Sequence, residues 1–76
     1  MLWILTQNEK SIMNVKEVMV KGKYIEGVIN RGSFTEWSKA IGKYESSERA
    51  TEILHEIFMK IEEGKGNSIT YTMPEK

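Results

Sequence analysis

Only one stretch of the chain carries apolar residues at a sustained helical period. Ala50, Ile53, Leu54, Ile57, Phe58 and Ile61 recur at i, i+3, i+4 and i+7, which gathers them into one stripe, while glutamates and Lys60 occupy much of the opposite face. Ser46 sits where an N-cap hydroxyl is needed, Glu48 falls at the positive end of the helix dipole, and Gly64 marks the stop. The pattern predicts one amphipathic helix over 46–64. A helix with one apolar face needs a sheet to cover it.

The remaining pattern is β. Leu2 to Thr6 is rich in β-formers and predicts a strand tied into the sheet from the outset, followed by a turn at Gln7-Asn8-Glu9-Lys10-Ser11. Ile12 to Val20 predicts a second strand, but Val15 and Val18 fall on opposite faces under strict alternation, which implies a bulge or burial on both faces. Lys21-Gly22-Lys23 is a tight turn whose glycine can take positive φ, and Tyr24 to Ile29 makes a third strand, completing an antiparallel meander. Asn30-Arg31-Gly32-Ser33 breaks the pattern. From Glu36 to Tyr44 a fourth strand places Trp37, Lys39, Ile41 and Lys43 on one face, and Ser38, Ala40, Gly42 and Tyr44 on the other. That second face is small enough for the helix to approach closely, with Ala40 and Gly42 as its seats. After the connector Gly64-Lys65-Gly66-Asn67-Ser68, Ile69 to Met73 alternates and ends at Pro74. This last strand pairs either with the first or with a neighbouring subunit.

The predicted order is ββββαβ. It describes an α+β fold, a small antiparallel sheet of about five strands with one amphipathic helix on one face, forming a single domain over residues 1–76. At 76 residues the monomer lies near the lower limit for a self-sufficient core, so oligomerisation is the natural supplement. Eleven Lys plus Arg balance eleven Asp plus Glu. A net charge of zero removes the attraction most nucleic-acid binders use and leaves little repulsion between copies. The absence of cysteine excludes disulfides and thiolate metal sites and fits a reducing cytoplasm. Met1 to Leu5 is apolar for only five residues, without a basic leader, so neither a signal peptide nor a membrane span is expected.

Chemistry-bearing motifs are sparse. His55 is the only histidine and lies off the apolar stripe with Thr51, Glu52 and Glu62, where a solvated surface residue is the better reading than a base or ligand. Ser33, Ser38, Ser46, Ser47 and Ser68 have no nucleophile elbow around them, and the glycine-rich connector follows a helix instead of preceding one, the wrong side for phosphate. Neither an enzyme nor a metal or cofactor site is expected. The richer group is aromatic and cationic: Trp3, Tyr24, Phe34, Trp37, Tyr44 and Tyr71, with Lys21, Lys23, Arg31, Lys39, Lys43 and Arg49 interleaved. A flat ring stacks on a nucleobase while a guanidinium holds phosphate, although aromatics in so small a protein are mostly core, Trp3 and Tyr44 above all beneath the helix. Arg31, Ser33 and Phe34 with Trp37 gather an Arg and two rings in and beside one loop, and with Lys21 and Lys23 form the candidate ligand site. Met59, Glu52, Glu56 and Met73 mark the candidate self-association or partner surface.

Trp3-Ile4-Leu5-Thr6-Gln7 at the start, Ile41-Gly42-Lys43-Tyr44, Glu48-Arg49-Ala50 with Ile53-Leu54 and Glu56-Ile57, and Tyr71-Thr72-Met73-Pro74 carry a likeness over nearly the whole chain. It resembles a family of small uncharacterised proteins of bacteriophages, prophages and low-GC Gram-positive bacteria. The resemblance implies a phage-type accessory role through binding a host component, and it carries over no site residues. The first functional expectation is a non-enzymatic homo-oligomer that sequesters a small anionic ligand, such as a nucleotide signal used in host defence. The alternative is an inhibitor or adaptor docking on a host protein through an edge strand or the acidic helix face. Duplex nucleic acid and membranes are not expected partners.

Overall fold

The computed structural model describes residues 1–31 and 36–76, with side chains described except at Asn30, Arg31 and Glu36. Among them the order is β1 (Leu2–Leu5), β2 (Ile12–Val15), β3 (Glu17–Lys21), β4 (Tyr24–Arg31), β5 (Glu36–Lys43), α1 (Ser47–Gly64) and β6 (Ile69–Thr72). The fold is α+β: six strands and one 18-residue helix. The strands form two small sheets in place of the one antiparallel sheet expected, ordered β2-β1-β6 and β3-β4-β5.

The division falls at Lys16. Its N–H bonds the Val28 carbonyl at 2.7 Å, so the chain leaves β1 at Val15 and joins β4 from Glu17 onward. The conflict between Val15 and Val18 is met at Lys16, where Lys16 and Glu17 both stand against Val28: what alternation treats as one strand is two, Val15 belonging to one sheet and Val18 to the other. The destination of the last strand is also settled. β6 pairs in parallel with β1, Leu2 opposite Ile69 and Leu5 opposite Thr72, an arrangement that needs the long crossover α1 provides.

Both sheets and the helix share one core. Ile4 from β1, Met13 and Val15 from β2, Ile25 from β4 and Ile41 from β5 meet Tyr44, Ala50, Ile53, Ile57 and Met73. The helix begins as its sequence predicts, the Ser46 hydroxyl accepting the Arg49 N–H at 3.1 Å. Its end differs. Lys65, not Gly64, takes the left-handed conformation at φ 48° and returns its N–H to the Glu62 carbonyl. Gly64 is needed for space, because a Cβ there would stand 2.6 Å from Ile69 Cδ1.

Only part of the apolar stripe is covered. Ala50, Ile53 and Ile57 are buried, while Leu54 is half-buried and Phe58 and Ile61 remain 57% and 41% exposed. α1 packs against β3, β4 and β6, and that surface is narrower than its stripe. Burial of Ile53 and Ile57 contributes about 1.5–3 kcal/mol each. Ala40 does not lie beneath the helix but is exposed, and the space over Gly42 is filled by the Tyr44 ring. The register shift between Ile25 and Glu26 leaves Ile41 as an extra residue of β5 and breaks its two-face alternation there, whereas the shift between Val28 and Asn30 falls on β4, at Ile29. Tyr44 is core, as expected; Trp3 is not, standing 37% exposed on the side of β1 opposite Ile4.

A Cβ at Gly42 would lie 2.7 Å from Tyr44 Cε2 and 2.8 Å from its hydroxyl oxygen. That ring is anchored, its hydroxyl donating to the Pro74 carbonyl at 2.8 Å. Gly42→Ala therefore overpacks a side chain that cannot swing aside freely, at a cost of about 1–3 kcal/mol. Thermal unfolding should show a melting temperature lowered by roughly 4–8 °C per kcal/mol; an unchanged value would mean that the ring yields.

Candidate functional site

The turn between β1 and β2 is stiffened from within before it touches anything else. The Thr6 hydroxyl donates to Asn8 Oδ1 at 2.8 Å, the same oxygen accepts the Lys10 N–H at 2.9 Å, and Glu9 takes φ 60° to close the turn. This rigid turn presents Gln7 to the outer side of β5. Gln7 Nε2 donates to the carbonyls of Lys43 (2.9 Å) and Glu75 (2.8 Å), its Oε1 accepts the Lys43 N–H (2.8 Å), and its own N–H bonds the Ile41 carbonyl (3.0 Å).

A cleft of about 190 Å³ lies between this turn and β4–β5, lined by Gln7, Asn8, Tyr24, Lys39 and Lys43 among others. The Lys43 ammonium stands 5.6 Å from the centre of the Tyr24 ring, which is 43% exposed. A cation held over an aromatic face, with a second lysine on the same rim, combines a stacking surface with charge for anionic oxygens. Lys21, by contrast, is partnered by Glu26 at 3.5 Å.

A second, larger groove of about 380 Å³ is mainly apolar, with Leu54, Phe58 and Ile61 of α1 and Leu2, Val15 and Val18 in its lining beside Lys16, Glu17 and Asn67. At the far end of the helix, Arg49 donates through Nε and Nη2 to the Lys76 carbonyl oxygen at 3.2 and 2.9 Å, and pairs with Glu52 at 3.3 Å and Glu56 at 3.8 Å.

The residues expected to form a ligand site are not all brought together. Ser33 and Phe34, and the side chain of Arg31, lie outside the described residues. Trp37 is 68% exposed and pairs with Asn30, whereas Lys21 and Lys23 stand at the opposite end of β4 beside Tyr24. Six residues of strand separate those ends, roughly 20 Å, so Lys21, Lys23 and Trp37 cannot share one small pocket. Sequence reasoning named Tyr24, Lys39 and Lys43 only as members of a scattered group and took Gln7 and Asn8 for plain turn residues. The hairpin signal at Gly22 places Tyr24 opposite Lys21 at the start of β4, and it is the pairing of β4 with β5, whose register is shifted twice, that sets Tyr24 against Lys43.

The expected partner surface is corrected at one position. Met73 is core, 2% exposed, because its N–H continues the β6 ladder to Leu5 and its side chain joins the helix contacts. Met59 is exposed, and Glu52 and Glu56 are exposed but engaged by Arg49. His55 lies on the outer helix surface. Among the described residues no three His, Cys, Asp or Glu side chains are placed to hold a metal ion, and no helix is long and apolar enough to cross a membrane. The chain matches no family model, no curated protein and no solved structure.

Two phenols have a shifted titration. Burial pushes Tyr44 up to about 12, reinforced by Tyr71 and Glu56 and opposed by Arg49. Burial also raises Tyr71 above its usual value, Glu56 adding to the effect and Arg49 opposing it. A raised folded-state value means that the folded chain holds these protons when the unfolded chain, titrating near 10.0, has lost them. The associated stability is complete below the unfolded value and is lost as pH rises through the folded one. Denaturant midpoints should therefore fall between about pH 10 and pH 12, in step with tyrosinate absorbance; midpoints that stay flat across this range would contradict the burial of Tyr44.

Proposed function

We propose that the protein is a non-enzymatic, homo-oligomeric binding protein of the cytoplasm that holds a small anionic ligand bearing a flat ring, a nucleotide being the simplest such molecule. The observation that carries this reading is the Tyr24 ring with the Lys43 ammonium 5.6 Å from its centre, in a cleft whose rim also carries Lys39. A base stacks on the exposed part of the ring and phosphate oxygens draw the two ammonium groups, while Gln7 holds the floor still. Preorganisation of that floor limits the ordering cost of binding. The zero net charge and the small core favour self-association. The resemblance to phage-type accessory proteins supports sequestration of a signal over its conversion.

A second reading is favoured by one other observation. The open apolar groove beside Phe58 and Ile61 suits a protein partner better than a nucleotide, and it supports an inhibitor or adaptor.

Calorimetric titration of the purified chain with cyclic and linear nucleotides separates the two. Binding should occur within the panel, and Tyr24→Ala and Lys43→Ala should each weaken it about tenfold or more, since stacking on one ring is worth about 1–3 kcal/mol. Absence of heat across the panel, or affinity indifferent to both substitutions, would remove the ligand reading.

A further inference from the structure

β5 is an edge strand with uneven protection. Gln7 occupies its outer side at Ile41 and Lys43, whereas Trp37, Ser38, Lys39 and Ala40 are exposed, and β5 ends the order β3-β4-β5. Exposed edges of this kind invite pairing unless something blocks them. The direction of the backbone groups follows from β4. The Val28 carbonyl accepts the Lys16 N–H, which turns Val28 toward the β3 side. In an antiparallel ladder a residue bonded to one neighbour faces away from the other, so its register partner Ser38 is in a non-hydrogen-bonded pair and aims its N–H and C=O outward. By alternation the backbone of Glu36 and that of Ala40 do the same, while Trp37 and Lys39 bond inward and share a face.

We infer that this open edge pairs antiparallel with β5 of a second copy, with Ser38 on the two-fold axis. The inference rests on the homo-oligomer reading above and names the surface that makes it. Outward residues can pair only with outward residues, which leaves few registers. With Lys39 on the axis, two ammonium groups would stand directly opposite, a destabilising pair. With Ala40 on the axis, the strands would overlap the stretch already held by Gln7. With Ser38 on the axis, Ser38 meets Ser38 of the partner subunit as a hydrogen-bonded pair, and Trp37 stands opposite Lys39 of the partner subunit. The two-fold repeats that contact. Each is a cation across from an indole at cross-strand distance, the geometry that draws ammonium to an aromatic face. The occupant is a second copy because the strand is complementary to itself in this register and in no other centred on Ser38, Lys39 or Ala40.

The chain has no cysteine, so one introduced thiol reports on the register. A hydrogen-bonded pair on the axis holds its Cα atoms about 5.5 Å apart, within disulfide range. Ser38→Cys should cross-link into dimers nearly completely, by mild oxidation or by a short bis-maleimide. Ala40→Cys, whose opposite residue is Glu36 of the partner subunit, should cross-link several-fold less. Ser38→Pro removes an N–H that the register turns away from β4, so light scattering should report monomers while circular dichroism keeps the folded spectrum. Should that variant fail to fold, the cysteine pair decides alone. An oligomer in which Ala40→Cys cross-links as well as Ser38→Cys, or neither does, uses another surface, which overturns this inference and spares the reading above. A wild-type monomer at working concentration overturns both.

Discussion

Gln7 closes the molecule. Sheets of three strands have edges they cannot hide, and here one side chain takes the place of a strand, giving and receiving hydrogen bonds at Lys43 while its N–H holds Ile41 and its amide reaches Glu75. Each of these backbone groups would otherwise face water or, in a closing core, nothing at all. The clasp ties the β1–β2 turn of the first sheet to the edge of the second and pins the chain beyond β6. It ties together at the surface two small sheets that already share one core.

The rest of the packing follows from how little material there is. Two sheets that meet at Lys16 enclose a core deep enough for Ile4, Ile25, Ile41, Ile53 and Ile57, each at most 2% exposed. They are not broad enough to cover the helix stripe from Ala50 to Ile61. The uncovered part, Leu54, Phe58 and Ile61, becomes one wall of the apolar groove. Small size therefore appears on the outside as exposed apolar surface and an unpaired edge, which are the same deficit seen on two elements.

What could be read from the sequence was local. The Ser46 cap and the turn at Gly22 depend on residues within a few positions of one another, and both stand where their signals lie. The phase conflict between Val15 and Val18 was visible too, but one-dimensional alternation has no means of telling a bulge from a change of sheet; only the bond from Lys16 to Val28 decides it. Gln7 was invisible for a stronger reason. Its partners lie 36 and 68 residues away, and a polar residue after a strand carries the same turn signal whether or not it clasps anything. The candidate cleft inherits that opacity, since its floor is the clasp and its rim is set by bulged registers. Met73 and Trp3 exchanged the roles expected of them because sidedness in short strands is decided by what each sheet is packed against, not by residue size.

The clasp also sets a boundary along β5 that joins the two proposals. Above it the strand's outer side belongs to the chain's own turn and borders the cleft; below it the same side is free to pair. Lys39 stands at the division, lining the cleft and, in the self-paired register, facing Trp37 of the partner subunit. One ammonium cannot lie over an indole and against an anionic oxygen at full strength in both places. Under the proposed function, ligand binding and self-pairing then draw on a shared group, and linkage requires the effect to be reciprocal: whatever the ligand does to the strength of pairing, pairing does to the affinity for ligand. Lys43, held over Tyr24 within one chain, lies outside that competition. The cleft thus keeps one cation of its own even when the strand edge is occupied, and under the proposed function self-pairing acts on the ligand through Lys39 alone while the Tyr24–Lys43 part of the cleft is left in place.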